Sequence, residues 1–247
     1  MNELALNPFT DEYVKAEIAW FGAKDYQKGK ISVKNTPIIG RCDDFLNVNY
    51  RDDKNMVCPL FRIDGHIWMS LTPMEIESQY RHIQNAKGFV AILGLGMGYA
   101  TLSIAQKENV ASVVVYEKNE DVVAYFEEVC AGRKGYDKIR IVVGDVRDTL
   151  VGQKHDFVYA DIYHSMAEDA MLDDYVRFTE NNNIKKYQFW TEEMMWFHAV
   201  KIGAIESDDL PQDIQEYFEM YDVTEKSELR MNYSDRAFTE KFLELKK

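Results

Sequence analysis

The sequence predicts an α/β fold: a doubly wound, mostly parallel Rossmann-like sheet, preceded by a small N-terminal helix plus β-hairpin element. Three observations carry this. From Phe89 onward, short apolar runs alternate with stretches of helical periodicity. Two of the runs, Phe89–Leu93 and Ser112–Tyr116, lack polar alternation, as strands covered on both faces do. Each run is followed at once by glycines or a carboxylate. The 247 residues suffice for one such domain and a modest extra element, divided here as 1–86 for the helix and hairpin region and 87–247 for the sheet domain with a helical C-terminal tail.

Thr10 is placed to cap a helix whose Tyr13, Val14, Ile18 and Phe21 form one apolar stripe. Between Ile31 and Thr72 short β segments follow, the clearest being the two runs around Asp64-Gly65, a hairpin signal. Pro73–Asn85 reads as a helix with proline in its first turn. Phe89–Leu93 is then a first buried strand and Tyr99–Gln106 a helix. Ser112–Tyr116 is a second strand, and Asn119 caps a helix carrying Val122, Tyr125, Phe126 and Val129 on one face. Lys138–Val143 and Asp156–Ala160 are the third and fourth strands. A helix around Ala167–Thr179, a strand at Tyr187–Thr191 and a helix bearing Met194, Met195, Phe197 and Val200 complete the pattern. The aromatic and Met-rich stretch Phe189–Phe197 reads as core packing, with part of it able to wall an acceptor pocket or an interface. The charged tail from Ile205 is helical in pattern, with no clear further strand.

A formal net charge of −13 repels a phosphate backbone, and neither KGKISVK nor RKGYDKIR concentrates enough cations to offset it, so nucleic acid is disfavoured as a partner. No window approaches the roughly 20 apolar residues of a membrane span, and MNELALNPFTDEY lacks a signal peptide's basic and apolar regions. A cytoplasmic protein without a membrane partner is expected. Cys42, Cys58 and Cys130 are far apart and odd in number, and read as reduced thiols in or near the core; no metal is expected.

In parallel sheets ligands bind beyond the carboxyl ends of the strands. Gly94-Leu95-Gly96-Met97-Gly98 follows the first strand, where glycines permit a tight turn and close approach of a ligand to the backbone. Glu117, with Lys118 after it, ends the second strand about 20 residues on, where an acid can accept hydrogen bonds from ribose hydroxyls. Asp145-Val146 follows the third strand, and there a carboxylate can accept from an exocyclic adenine amine. Asp161 follows the fourth. A nicotinamide dinucleotide would want its third glycine at position 99, which is Tyr99.

Taken together, Gly94–Gly98, Glu117, Gly144–Asp145 and Asp161 resemble the ordered motifs of the class I S-adenosylmethionine-dependent methyltransferase superfamily over about Phe89 to Thr191. The resemblance implies S-adenosylmethionine as cofactor, with the glycine loop along its methionine part, Glu117 on the ribose and Asp145–Val146 on the adenine. Within that superfamily the layout is similar to spermidine synthases, aminopropyltransferases with an "LDG…QLTERDEFIYHEML" stretch before a GGGDGG loop. Here Ile63-Asp64-Gly65 and Leu71-Thr72-Pro73-Met74-Glu75 correspond. Met97 stands where that family has its loop acid, Ser70 where it has Gln, and Gln79-Tyr80 where it has Tyr-His. Of its DSSDP-like segment only Asp161 remains in Asp161-Ile162-Tyr163-His164. The Asn/Asp-Pro-Pro-aromatic tetrad of amino-methyltransferases is absent after the fourth strand, and Asn7-Pro8-Phe9 reads as a turn before Thr10.

Displacement at a sulfonium methyl needs orientation and a dry pocket, and a base only when the acceptor must lose a proton. Asp161, Tyr163 and His164 are the catalytic candidates, with His164 also readable as a surface loop residue and Tyr163 as a lid or wall residue with no proton role. His66, His82, His155 and His198 show no partner in the sequence and are assigned structural or solvent roles. The expected activity is methyl transfer to a small-molecule or protein acceptor. The alternatives are aminopropyl transfer and a non-catalytic binding or assembly protein that kept the fold. Homo-oligomerisation is compatible with all three.

Overall fold

The computed structural model describes residues 10–38, 42–43, 45, 50–51, 56–165, 168–221, 223 and 236–246. Asn7-Pro8-Phe9, the Cys42 side chain and Ala167 lie outside them. The chain forms two compact units: residues 1–81 with 211–232, and residues 82–210 with 233–247.

In the first unit, α1 (Asp11–Phe21) begins where the Thr10 hydroxyl accepts the Tyr13 amide at 3.3 Å and ends at left-handed Gly22. Val14 and Phe21 are its buried face. β1 (Tyr26–Lys28), β2 (Ile31–Pro37), β5 (Val57–Ile63) and β6 (His66–Ser70) form an antiparallel sheet in that order, and β3 (Cys42–Asp43) pairs with β4 (Tyr50–Arg51). Asp64 and Gly65 both take positive φ between β5 and β6, the backbone demand of a type I′ hairpin turn. Leu71 and Thr72 then lead into α2 (Pro73–Asn85), within which the unit boundary falls after Arg81. α8 (Gln212–Met220) also belongs here: Asp213 pairs with Arg81 at 2.8 Å, and the hydroxyl of Tyr221, just past the helix, donates to the buried carboxylate of Glu77 at 2.8 Å.

The second unit is the doubly wound domain. Its strands are β7 (Gly88–Leu93), β8 (Val110–Glu117), β9 (Ile139–Val143), β11 (Phe157–Ala160) and β13 (Tyr187–Phe189). They lie in the order β13-β11-β7-β8-β9, every neighbouring pair parallel. Each crossover needs a covering element. α3 (Tyr99–Ala105), α4 (Glu120–Cys130), the short α5 (Val146–Thr149) and α6 (Asp169–Asn181) supply them, with Asn119 capping α4 as expected. β10 (Lys154–His155) and β12 (Asn183–Ile184) add a small parallel pair, while α7 (Glu192–Lys201) and α9 (Arg236–Lys246) pack on one another.

Two burial expectations change. Phe89 is 58% exposed, so the buried part of β7 is Val90–Leu93. Val129 is 39% exposed, so the buried face of α4 is Val122, Val123, Tyr125, Phe126 and Cys130. Thr191 is not strand: it sits at φ 68 immediately before α7. Cys58 and Cys130 are buried. No described helix is long and apolar enough to cross a membrane, and no group of described residues could hold a metal ion.

Candidate functional site

The chain builds β7, moves outward to β8 and β9, then returns to the other side for β11 and β13. The loops after β7 and β11 therefore leave in opposite directions, and the crevice of a doubly wound sheet opens there. Hydrogen bonds just past the strands hold their ends together: Gly94 N–H to Tyr116 O at 2.9 Å, Gly144 N–H to Glu117 O at 3.0 Å, and Asp161 N–H to Leu93 O at 2.8 Å. The residues singled out at four strand ends thus share one edge.

Gly94 lies at φ +94, and a Cβ there would stand 2.3 Å from the carbonyl oxygen of Asp161. Only glycine lets the two loops approach so closely. Leu95, Met97 and Gly98 are buried, so this loop offers a ligand its backbone rather than the side chains of Leu95 or Met97. Met97, at the position of the spermidine synthase loop acid, is fully buried.

Glu117 is the central polar group. Its Oε2 accepts the Leu95 amide at 3.0 Å and its Oε1 the Asn119 amide at 2.8 Å. A carboxylate offers about four acceptor positions, so two remain for hydroxyl donors. Lys118 beside it is exposed. Asp145 caps α5, its Oδ1 accepting the Arg147 amide at 2.9 Å, while Val146 is buried directly after it. Arg147 is gripped by Asp174 of α6 through two parallel bonds, Nε to Oδ1 at 2.9 Å and Nη2 to Oδ2 at 2.7 Å.

The catalytic candidates separate. Tyr163 is buried beside Asp174 and Tyr187, and burial with the Asp174 charge pushes its phenol well above the ordinary range. Its hydroxyl is fixed as a neutral group. His164 is exposed, its amide donating to Glu168 Oε1 at 2.7 Å, as does the Ser165 amide at 2.6 Å. At Asp161 desolvation pushes the carboxyl up to about 6, against the opposing pull of His82.

His82, assigned a structural or solvent role from sequence, lies on α2. It is fully buried and stacks on Tyr159 with ring centroids 4.5 Å apart. Its Nδ1 lies 3.1 Å from Gln188 Oε1 on β13, and its Nε2 lies 3.5 Å from Glu193 Oε2 on α7. His198 likewise has a partner, Thr239 Oγ1 at 2.8 Å from its Nδ1. Burial, then the Arg140 charge, lowers the pKa of His155. The one sequence signal for this cluster was Glu192-Glu193, two acids inside an otherwise aromatic and Met-rich run.

No protein-family model matches the chain, and no curated protein matches it. Solved structures that it resembles include a spermidine synthase from Thermotoga maritima, at 15% identity over 65% of this chain and 52% of that one, TM-score 0.38. Another is the CcbJ methyltransferase from Streptomyces caelestis, at 18% identity over 46% of this chain and 50% of that one, TM-score 0.38. The chain spans 44% to 59% of the length of four further structures it resembles. These are likenesses of partial fold.

Proposed function

We propose that the chain is an S-adenosylmethionine-dependent methyltransferase acting on a small-molecule or protein acceptor. The observation that carries this reading is Glu117, an acid drawn against the glycine loop at the end of the second strand, with acceptor positions left over for a ribose. The close-packed Gly94 turn and the capped Asp145 fit the same ligand, presenting bare backbone and a carboxylate at successive strand ends. When bound, S-adenosylmethionine supplies a sulfonium methyl that leaves as the sulfur keeps the electron pair of the broken S–C bond. The protein's part is to orient and to take a proton. Asp161, pushed up to about 6 by burial, is ionised at neutral pH yet basic enough to accept the proton of an acceptor hydroxyl or amine. The buried side chain of Met97 leaves the loop without the carboxylate that would serve an aminopropyl donor.

Calorimetric titration with S-adenosylmethionine and S-adenosylhomocysteine, repeated on Glu117→Ala, tests the reading. Micromolar binding that the substitution weakens by two orders of magnitude or so is expected, from the loss of charged hydrogen bonds of about 1.5–3 kcal/mol each. Folded wild-type protein that binds neither ligand would overturn it. Binding of decarboxylated S-adenosylmethionine in preference to both would move the reading to aminopropyl transfer.

A further inference from the structure

Asp145 precedes α5, a helix of one turn, and a single turn holds its own orientation poorly. Its anchors come from α6. Arg177 Nη2 donates to the carbonyl of Arg147 at 2.9 Å, and Asp174 grips the Arg147 side chain through Nε at 2.9 Å and Nη2 at 2.7 Å. Those two bonds fix the plane of the guanidinium and leave Nη1 outside the pair. Nη1 stands 3.9 Å from Asp145 Oδ1, near enough for attraction and too far for a hydrogen bond. That oxygen already accepts the Arg147 amide at 2.9 Å. One guanidinium thus lies between two carboxylates and is hydrogen-bonded to only one of them. The two acids differ in setting: the Asp174 side chain is 6% exposed, that of Asp145 40%. The buried one needs the counter-charge; the open one can turn to a ligand.

We propose that Asp174 is a positioning residue: by taking Arg147 into a two-bond pair, it keeps that cation off the Asp145 carboxylate and leaves the carboxylate open to the exocyclic amine of a purine. That Asp145 meets adenine rests on the methyltransferase reading above; the sharing of Arg147 between two acids rests on the distances. An arginine keeps its charge in a protein, so once Asp174 no longer holds it, Asp145 is the carboxylate left within 4 Å. A guanidinium closed onto Asp145 would place N–H donors where the amine of the ligand, itself a donor, has to bond. Recognition of the amine then weakens, while hydrogen bonds to the ribose through Glu117 are untouched.

The test compares two ligands by calorimetric titration: S-adenosylhomocysteine, and S-inosylhomocysteine, which carries a carbonyl in place of the amine and so turns an acceptor toward Asp145. Wild type should prefer the amine by about ten- to hundredfold, the worth of one charged hydrogen bond. In Asp174→Asn that preference should fall to about threefold or less, and Arg147→Met added to it should restore the wild-type ratio, a non-additive change expected of groups in contact. Tyr163, buried beside Asp174, feels the loss of that charge in both variants, so only the released arginine separates them. A general loosening of the fold would weaken both ligands together, and a second substitution would not repair it. Wild-type preference in folded Asp174→Asn overturns the proposal, as does a double variant no better than the single one. Should Asp174→Asn alone not fold, the double variant decides, because replacing both members of an ion pair is often near neutral. Preference retained there supports the proposal, and preference lost overturns it. Wild type that binds both ligands equally overturns the proposal and leaves the cofactor reading standing; wild type that binds neither overturns both.

Discussion

The Oε2 atom of Glu117 accepts the amide hydrogen of Leu95 at 3.0 Å, joining residues 22 positions apart at the ends of two adjacent parallel strands. The other oxygen accepts the Asn119 amide, at the start of α4. One carboxylate therefore shapes the glycine loop and the next helix entrance at once, before any ligand is considered. Its two functions can be measured separately.

Glu117→Ala should destabilise the folded protein by about 1–2 kcal/mol, the cost of leaving two part-buried amide donors without their acceptor. Glu117→Gln should cost less, because its one carbonyl oxygen still satisfies one of the two amides. Urea denaturation of both variants without ligand checks this. Equal stability of wild type and Glu117→Ala would show that the two hydrogen bonds do not support the loop.

Gly94 and Gly98 predict different repair behaviour. A Cβ at Gly98 would stand 2.3 Å from Phe126 Cε2, a side chain; at Gly94 it would meet the backbone oxygen of Asp161 at the same distance. Both positions have positive φ. Alanine at either should destabilise by about 1–3 kcal/mol. Phe126→Leu should recover part of the loss in Gly98→Ala by opening space, and none of it in Gly94→Ala. Thermal unfolding of the four variants against Phe126→Leu alone measures both.

The fold was legible because its signals are local. Asp64-Gly65 is a hairpin turn in any context, Asn119 and Thr10 cap where they should, and apolar runs in a parallel sheet need no alternation to be recognised. The strand-end acids were legible for a related reason, since topology brings positions that follow consecutive strands to one edge. The His82 cluster was not. Its members come from α2, β11, β13 and α7, more than 100 residues apart at the extremes, and no spacing rule connects them. Tyr163 differs again: its surroundings, Asp174 and Tyr187, are supplied only by the packed helix α6 and strand β13, which no spacing in the sequence reveals.

Asp161 also sets a pH dependence of stability. Its folded pKa, about 6, lies above the ordinary carboxyl value of 3.8. The native state thus holds this proton more tightly than the unfolded chain, and between those two values the native form binds more protons. Stability from this group is greatest below pH 4 and is lost as pH rises toward 6, after which the penalty is constant. Asp161→Asn removes the effect, so its stability relative to wild type should climb between pH 4 and 6 and level off above. Urea denaturation at half-unit pH steps reads the difference. A flat difference across that interval would mean the carboxyl titrates at its ordinary value.

Lys246 makes the last prediction through what its loss would strand. Its Nζ lies 2.6 Å from Glu192 Oε1, with the two side chains only 12% and 4% exposed, and 4.7 Å from the centre of the Tyr175 ring. Lys246→Met would preserve much of the apolar contact of the stem but leave the Glu192 carboxylate buried without its counter-charge. Breaking one side of such a pair costs about 3–5 kcal/mol, whereas replacing both sides with neutral groups is often close to neutral. Lys246→Met should therefore be strongly destabilising, and Glu192→Gln added to it should restore most of the loss. A double-mutant cycle by chemical denaturation checks this, since neighbouring groups that interact give non-additive changes. Additive losses would mean that α9 is held by its aromatic packing of Phe242 on Phe189 and Trp196, and that the ion pair contributes nothing beyond it.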